Sequence, residues 1–206
     1  MNIIEKYIFK KRNVYITNKK NKNMLKTIKG NDRVRVEFVN LNKEDLKEIL
    51  FQVYGNKDIS EKYSNRNSDF WKLIVAFFND KPAGAFWILE PNEEVLYDSF
   101  VIYPDQILFC SVFVNPNFRG KSLYNFMHKK AFDYWKVNCL DKEVITIVEK
   151  NNIASNKSNK NFGLEVLGVN YLIKFFGRNI ISIFKTNDFI KIWFLYKEKK
   201  TKKVLK

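Results

Sequence analysis

The segment that most constrains this chain runs from Gln106 to Trp135. It starts with an almost unbroken apolar stretch, Ile107 to Val114, which has the length expected for a strand buried on both faces. A tight turn through Arg119 and Gly120 follows, and from Lys121 to Val137 the apolar residues recur with helical spacing. The predicted apolar face of this helix carries Leu123, Phe126, Met127, Ala131, Tyr134 and Trp135. A strand that leads straight into an amphipathic helix indicates a fold of the α/β class.

The start of this helix is a candidate anion-binding site. Unpaired backbone N–H groups and the positive end of the helix dipole meet there, and together they suit a pyrophosphate. Gly120 permits close approach of a ligand to the backbone, while Arg119 and Lys121 add positive charge. Many strand-to-helix turns look similar, so the interpretation needs a second feature.

The segments around this unit predict the element order β-α-β-β-β-β-α-β-α-β-β. A strand is predicted from Arg33 to Val39, followed by a helix that starts after Asn42 and ends at Gly55. A polar stretch leads to a hairpin whose turn lies at Asn79-Asp80-Lys81-Pro82. The remaining predictions are an extended run from Val95 to Tyr103, a strand from Val144 to Val148, a helix from Ile153 to Phe162, strands from Glu165 to Phe176 and from Asn179 to Lys185, and a closing strand from Phe189 to Tyr196.

The 206 residues suffice for one α/β domain with a substantial core. Residues 1–31 are interpreted as a basic N-terminal extension, with at most a short strand near Asn13 to Thr17. Residues 32–187 form the predicted domain, and residues 188–206 a terminal strand and a basic tail.

The net charge of +15 favours an anionic partner: a phosphorylated cofactor, nucleic acid, an acidic carrier protein or a membrane surface. Lys supplies almost all of this charge, since only six residues are Arg. Lys binds phosphate as a point charge and lacks the planar fork that reads guanine, so nucleic acid is an unlikely partner.

The two cysteines, Cys110 and Cys139, have no metal-ligand spacing, so neither a metal site nor a disulfide is expected. No apolar span reaches transmembrane length, and a cytoplasmic location is expected. His128, the single histidine, is predicted on the polar, surface side of its helix.

A second motif follows the helix: Asn152 to Ser155 comes directly after a strand, and Gly163-Leu164 precedes the next strand. With Val114-Asn-Pro-Asn-Phe-Arg-Gly-Lys-Ser122 ahead of the helix, this ordered set resembles the GNAT superfamily of N-acetyltransferases, whose pattern is V-x-P-x-x-R-G-x-G, then N-x-x-S/A, then G-F. The resemblance covers roughly Arg33 to Lys185. It implies an α/β (α+β) fold with a mixed central sheet of about six to seven strands, flanked by helices and splayed between strands four and five.

The resemblance also implies an N-acyltransferase that uses acetyl-CoA or another acyl-CoA. The pantetheine arm would lie between the splayed strands, against the backbone of Val112, Phe113 and Val114. The neutral primary amine of a small molecule, such as an amino sugar or amino acid, would attack the thioester directly. The other cofactor-binding residues that the resemblance implies are Arg119, Gly120, Lys121, Ser122, Leu123, Tyr124, Asn152 and Ser155.

Several positions depart from the family pattern. Ser122 and Tyr124 stand where the family has glycine or alanine, and Asn159 stands where a Tyr often protonates the leaving thiolate. Several members place a Glu base where this chain has Gln106, so the candidate base is the neighbouring Asp105, with Glu90, Asp98 and Tyr103 behind it. These departures leave a non-catalytic CoA-binding module open as an alternative. An acidic acyl carrier protein as donor, which a Lys-rich surface suits, nucleic-acid binding through the basic ends without base preference, and an oligomer also remain open.

Overall fold

The computed structural model describes residues 9–17, 30–66, 69–175 and 178–195. These residues group into two units. We call residues 30–66, 69–92 and 104–142 the three-helix unit, and residues 9–17, 93–103, 143–175 and 178–195 the one-helix unit.

The three-helix unit contains an antiparallel sheet in the order β7-β4-β3-β2. Two helices follow β2 along the chain, and a third follows β7 after a short 3-10 helix at Pro116–Phe118. The elements are β2 (Val34–Val39), α1 (Lys43–Tyr54), α2 (Lys57–Ser64), β3 (Trp71–Phe78), β4 (Lys81–Leu89), β7 (Gln106–Val114) and α3 (Leu123–Asn138).

Local sequence signals set the ends of α1, as predicted. The Asn42 side chain accepts hydrogen bonds from the backbone N–H groups of Glu44 and Asp45, which caps the first turn. Gly55 ends the helix with a left-handed φ of 64°, a conformation that glycine adopts without strain. Helix α2 lies in the polar stretch for which no element was predicted. Asn56 caps it by accepting from the N–H of Ile59.

The predicted hairpin of β3 and β4 is confirmed, with a two-residue turn. Asn79 and Asp80 both have positive φ values, 47° and 60°, which is the backbone of a type I′ hairpin turn. One face of the hairpin packs against α1 through Leu73, Val75 and Trp87. The opposite face packs against α3, where Phe86 contacts His128 edge to face. Phe86 also contacts Phe109 of β7 edge to face.

His128 is buried, not exposed as predicted. Its ring stacks on Tyr124 with centroids 4.3 Å apart, and Nδ1 lies 3.3 Å from the carbonyl oxygen of Tyr124. The buried stripe of α3 includes His128 and Phe132, whereas the predicted stripe included Phe126 and Tyr134 on its other side. The helix is therefore rotated about its own axis by about one residue position, relative to the orientation predicted from the sequence.

The one-helix unit has an antiparallel sheet in the order β11-β10-β9-β1-β8. A separate hairpin, β5 with β6, belongs to the same unit. The elements are β1 (Phe9–Thr17), β5 (Val95–Tyr97), β6 (Phe100–Ile102), β8 (Glu143–Glu149), α4 (Ile153–Asn161), β9 (Leu164–Phe175), β10 (Arg178–Lys185) and β11 (Ile190–Phe194).

Strand β1 is longer than the short strand predicted near Asn13 to Thr17, and it is an inner strand that pairs with both β8 and β9. Sequence reading missed its first half because Lys10, Lys11 and Arg12 are charged. Arg12 is nevertheless only 3% exposed, since its guanidinium donates to Asp98 at 2.7 Å and to Asn170. These partners offset the cost of burying the charge.

The α/β fold class is confirmed, with more strands than expected, and the splay between strands four and five stays a prediction. The two sheets hold nine strands against the six to seven predicted, and all pairings within the units are antiparallel. The predicted division of the chain into extension, domain and tail stays a prediction, and residues 196–206 of the tail lie outside the described residues. No helix among the described residues has both the length and the apolar character needed to cross a bilayer.

Candidate functional site

The turn between β7 and α3 is shaped by two left-handed residues. Gly120 has a φ of 76°, and Ser122, the residue before the helix, has a φ of 60°. Both residues are exposed, and so are Arg119, which precedes Gly120, and Lys121, which lies between the two. Buried Leu123 fixes the start of the helix against the core. The turn therefore presents a cationic, glycine-containing backbone at the first turn of α3.

The first turn of α3 differs from that of the other helices. Asn42, Asn56 and Asn152 cap helices α1, α2 and α4 by accepting from a backbone N–H with the side-chain oxygen. Ser122 makes no such side-chain bond, and the first turn of α3 contains no acidic residue. Within the described part of the chain, neither a side-chain cap nor a first-turn carboxylate balances the N–H groups and the dipole of this helix start, which suits an anionic ligand.

Strand β7 carries a bulge two-thirds of the way along. Cys110 pairs with Trp87 and Phe113 pairs with Ala85, so Ser111 and Val112 stand opposite the single residue Phe86. Ser111 has a left-handed φ of 48°. The bulge breaks the strict alternation of the strand and re-aims the N–H and C=O groups around it. Such bulges occur preferentially beside active sites.

The second half of β7 is the part that the sequence analysis assigned to the cofactor. Within the three-helix unit β7 pairs with β4 alone, so its other edge faces no strand of that unit. The side chains of Val112, Phe113 and Val114 are half-buried, in contrast to buried Ile107 to Phe109. Pairing of the backbone groups of this second half with an extended ligand stays a prediction.

An aromatic cluster surrounds Arg66 on the α1–α2 side of this sheet. The Arg66 guanidinium carbon lies 4.3 Å from the ring centroids of Tyr63 and Trp71 and 5.5 Å from that of Trp87. Its Nη1 donates to Oγ of Ser111 at 3.0 Å, which links the cluster to the bulge. Stacking and hydrogen bonding together hold the planar guanidinium in place.

A pocket of about 460 Å³ opens beside this cluster, within the size range of small-molecule sites. Its walls come from β2, α1, β3, β4 and α3, and from the residues that precede α1 and β3. They include Arg66, Asp69, Trp71, Lys72, Trp87 and Tyr134.

Two buried polar atoms of the cluster are only weakly hydrogen-bonded. The Tyr54 hydroxyl and the Trp87 indole nitrogen have no bond of good geometry among the described residues, and Trp87 acts on Tyr54 as a weak hydrogen-bond partner. Burial and the neighbouring Tyr63 raise the pKa of Tyr54, so its hydroxyl stays protonated. Tyr54 stacks on Tyr63 and also contacts Phe113, next to the bulge. The cluster thus offers polar hydrogens inside an apolar surrounding.

Glu90 organises a second polar cluster at the end of β4. It accepts hydrogen bonds from the Tyr134 hydroxyl at 2.8 Å, from Lys142 at 3.1 Å and from the Cys139 thiol at 3.3 Å. Burial acts to raise the Glu90 pKa, but these bonds together outweigh it and the pKa lies below its ordinary value. Burial and the same carboxylate raise the pKa of Cys139 to about 11. Glu90 is therefore an anchored carboxylate with its oxygens already engaged.

The predicted residues divide between the two units. Val112 to Val114 and Arg119 to Tyr124 lie on the consecutive strand, turn and helix of the three-helix unit. Asn152 and Ser155 lie at the start of α4 in the one-helix unit, where Oδ1 of Asn152 accepts from the N–H of Ser155 at 3.2 Å. Their roles toward a cofactor stay predictions.

The candidate bases also differ in their surroundings. Asp105 is exposed in the turn before β7, at the opposite end of that strand from Gly120. Glu90 has the three donors described above, Asp98 pairs with Arg12, and the hydroxyl of Tyr103 lies 3.4 Å from Nζ of Lys191. Asn159, at the position of the family's Tyr, is buried and its Nδ2 has no partner among the described residues.

Sequence reasoning missed Arg66, Ser111 and the tryptophans around them. Arg66 sits in a polar stretch with no motif, and its ring partners come from α2, β3 and β4. One usable signal was its rarity: Arg66 is one of six Arg in a chain whose positive charge is mostly Lys. No local sequence signal predicts the bulge at Ser111.

The arrangement of helices and strands is that of the GNAT acetyltransferases. Among solved structures, the chain is similar to a tandem GNAT protein of the clavulanic acid biosynthesis pathway, with a TM-score of 0.58, 11% identity, and coverage of 77% of this chain and 50% of that one. It is similar to a GCN5-related N-acetyltransferase from Sphaerobacter thermophilus, with a TM-score of 0.51, 16% identity, and coverage of 83% and 53%.

A third similar structure is a conserved protein of unknown function from Staphylococcus epidermidis, with a TM-score of 0.52, 17% identity, and coverage of 82% of this chain and 63% of that one. The chain thus spans between half and 63% of the length of these three structures. At this level of identity the likeness establishes the fold. No protein-family model and no curated protein sequence matches the chain.

Proposed function

We propose that the protein is an N-acyltransferase that transfers an acyl group from acetyl-CoA or another acyl-CoA to the primary amine of a small molecule. The observation that carries the proposal is the continuous path along β7, from the bulge at Ser111 to the left-handed Gly120 and the uncapped start of α3. This path joins a strand edge suited to an amide-containing arm with an anion site suited to a pyrophosphate.

The residues of the turn fit the phosphates of CoA. The N–H groups at the start of α3 would donate to the pyrophosphate, and Arg119 and Lys121 would add exposed positive charge. Gly120 lets the phosphates come close because no side chain projects from its backbone. The N–H and C=O groups of Val112 to Val114 would pair with the amides of the pantetheine arm.

Catalysis would depend on positioning and on electrostatic stabilisation. The cofactor supplies an activated thioester, so no nucleophile of the chain is required. The backbone N–H groups re-aimed by the bulge are candidates to stabilise the charge that develops on the reacting oxygen. Asp105 remains the proposed base, and since buried Asn159 cannot release a proton, the leaving thiolate would take its proton from another group or from water.

Buried Asn159 also supports a second candidate, a module of this fold that binds CoA and transfers nothing. Titration calorimetry with acetyl-CoA and with CoA tests binding, and thiol release in the presence of an amine panel tests transfer. Binding with transfer supports the enzyme, binding without transfer supports the module, and transfer only from an acyl carrier protein supports the carrier-dependent alternative. Absence of heat at millimolar acetyl-CoA, with no transfer from a carrier protein, contradicts all three.

A further inference from the structure

Resting on the function just proposed, we infer that the pocket beside Arg66 binds the acceptor through a carboxylate, so that the acceptor belongs to the class of amino acids with an apolar or aromatic side chain. The inference starts from charge. The walls of the pocket carry two cationic side chains, Arg66 and Lys72, and one exposed carboxylate, Asp69. This balance favours an anionic group over a second ammonium.

Arg66 is suited to a carboxylate by geometry as well as by charge. Three aromatic rings hold its guanidinium, so the fork of N–H donors has a fixed direction before any ligand arrives. A planar, preorganised guanidinium pairs with a planar carboxylate through parallel hydrogen bonds. The rings already have a cation among them, which disfavours an aromatic cage for a ligand ammonium.

The position of Arg66 favours an amino acid, whose amine is next to its carboxylate, over an acceptor in which the two groups are further apart. Nη1 of Arg66 lies 3.0 Å from Oγ of Ser111 at the bulge, where the thioester is proposed to lie. A carboxylate on Arg66 therefore brings an adjacent amine toward the reacting carbon. Trp71 and Trp87 line the same pocket and offer apolar surface for a side chain.

The remaining polar groups agree with this orientation. Lys72 lies 3.9 Å from Glu90, so part of its charge is balanced and Arg66 is the principal anion-binding side chain. Arg66 is accordingly a positioning residue for the acceptor and takes no part in bond making.

Three probes separate the carboxylate from the amine: phenylalanine, phenethylamine, which lacks the carboxylate, and 3-phenylpropanoate, which lacks the amine. Binding is measured by titration calorimetry with and without CoA. We expect phenylalanine and 3-phenylpropanoate to bind at least tenfold more tightly than phenethylamine. 3-Phenylpropanoate cannot accept an acyl group, so its binding tests the pocket even if the chain proves to transfer nothing.

Arg66→Met should abolish the preference for the carboxylate, and Arg66→Lys should retain part of it. Arg35→Met is the matched control, because Arg35 also stacks on a ring, 4.0 Å from the Phe77 centroid, but lies outside the pocket. Asp69→Asn removes an exposed acid and should tighten carboxylate binding about threefold or more, without loss of a stacking contact. Equal or tighter binding of phenethylamine, no binding of any probe, or equal losses in the Arg35 and Arg66 variants would overturn the inference.

Discussion

The prediction that best tests the proposed cofactor site is the substitution Gly120→Ala, compared with Gly55→Ala. The two glycines have nearly the same backbone, with φ values of 76° and 64°. At both positions a Cβ would meet no atom within 4 Å, so alanine adds strain without a clash. Gly55 ends α1 and takes no part in the proposed site. The pair therefore separates the cost of the backbone conformation from the loss of a ligand contact.

The expected stability changes are equal. A left-handed conformation costs a residue with a Cβ roughly 1–2 kcal/mol more than glycine. For a chain of this length, each kcal/mol corresponds to about 2–4 °C in Tm. Differential scanning fluorimetry should show both variants melting a few degrees below the wild type, by similar amounts.

The expected binding changes differ. A methyl group at residue 120 would push a bound phosphate off the turn and cost at least one charge-assisted hydrogen bond, about 1.5–3 kcal/mol. This corresponds to an increase of about 10- to 100-fold in the Kd for acetyl-CoA, measured by titration calorimetry well below Tm. Gly55→Ala should bind acetyl-CoA as the wild type does. If the Tm falls by the same amount in both variants and both keep the wild-type Kd for acetyl-CoA, the phosphates do not lie on this turn.

Three further predictions concern Ser122, Glu90 and Cys139. Ser122→Gly should raise stability by about 1 kcal/mol, seen as a higher Tm, because Ser122 holds a φ of 60° without capping the helix; a lower Tm would contradict this. Glu90→Gln should lower the urea midpoint at pH 7. The pKa of Glu90 is lower in the folded than in the unfolded protein, so the Glu90 carboxylate stabilises the fold fully at a pH above its unfolded pKa. This stabilisation is lost as the pH falls through the folded pKa, so the difference in urea midpoint between the variant and the wild type should shrink below about pH 4. Burial raises the pKa of Cys139 to about 11, so in a disulfide-exchange assay at pH 8 its thiol should react only after unfolding. Fast reaction of both Cys110 and Cys139 would show that the Glu90 cluster is open to solvent.

The parts of the fold that the sequence predicted are those with local causes. Helix α1 could be bounded from Asn42 and Gly55, and the β3–β4 hairpin from its Asn-Asp turn, because each signal acts within a few residues. Helix α2 was missed since its sequence, KDISEKYS, has little apolar periodicity and buries only two serines. Extended and helical readings of such a polar stretch cannot be told apart without its tertiary contacts.

The site divides in the same way. The turn around Gly120 follows from a strand, a glycine and a helix in sequence, and the structure adds that Ser122 adopts the backbone that glycine would favour. The pocket beside Arg66 could not be predicted, because residues from β2, α1, β3, β4 and α3 meet there. Contacts of this kind depend on the packing of several elements and leave no spacing in the sequence.

The few arginines of this chain also show why charge counts alone are a poor guide to its partners. Their scarcity argued against sequence-specific recognition of nucleic acid, yet where they occur the planar guanidinium is used. Arg12 donates to Asp98 and Asn170 while buried, and Arg66 stacks on aromatic rings while donating to Ser111. A Lys ammonium lacks both the plane that stacks and the fork that donates in two directions. Replacing either Arg by Lys therefore preserves the net charge of +15 but should weaken the function of the side chain, so Arg66→Lys should keep only part of the carboxylate preference in the calorimetric comparison.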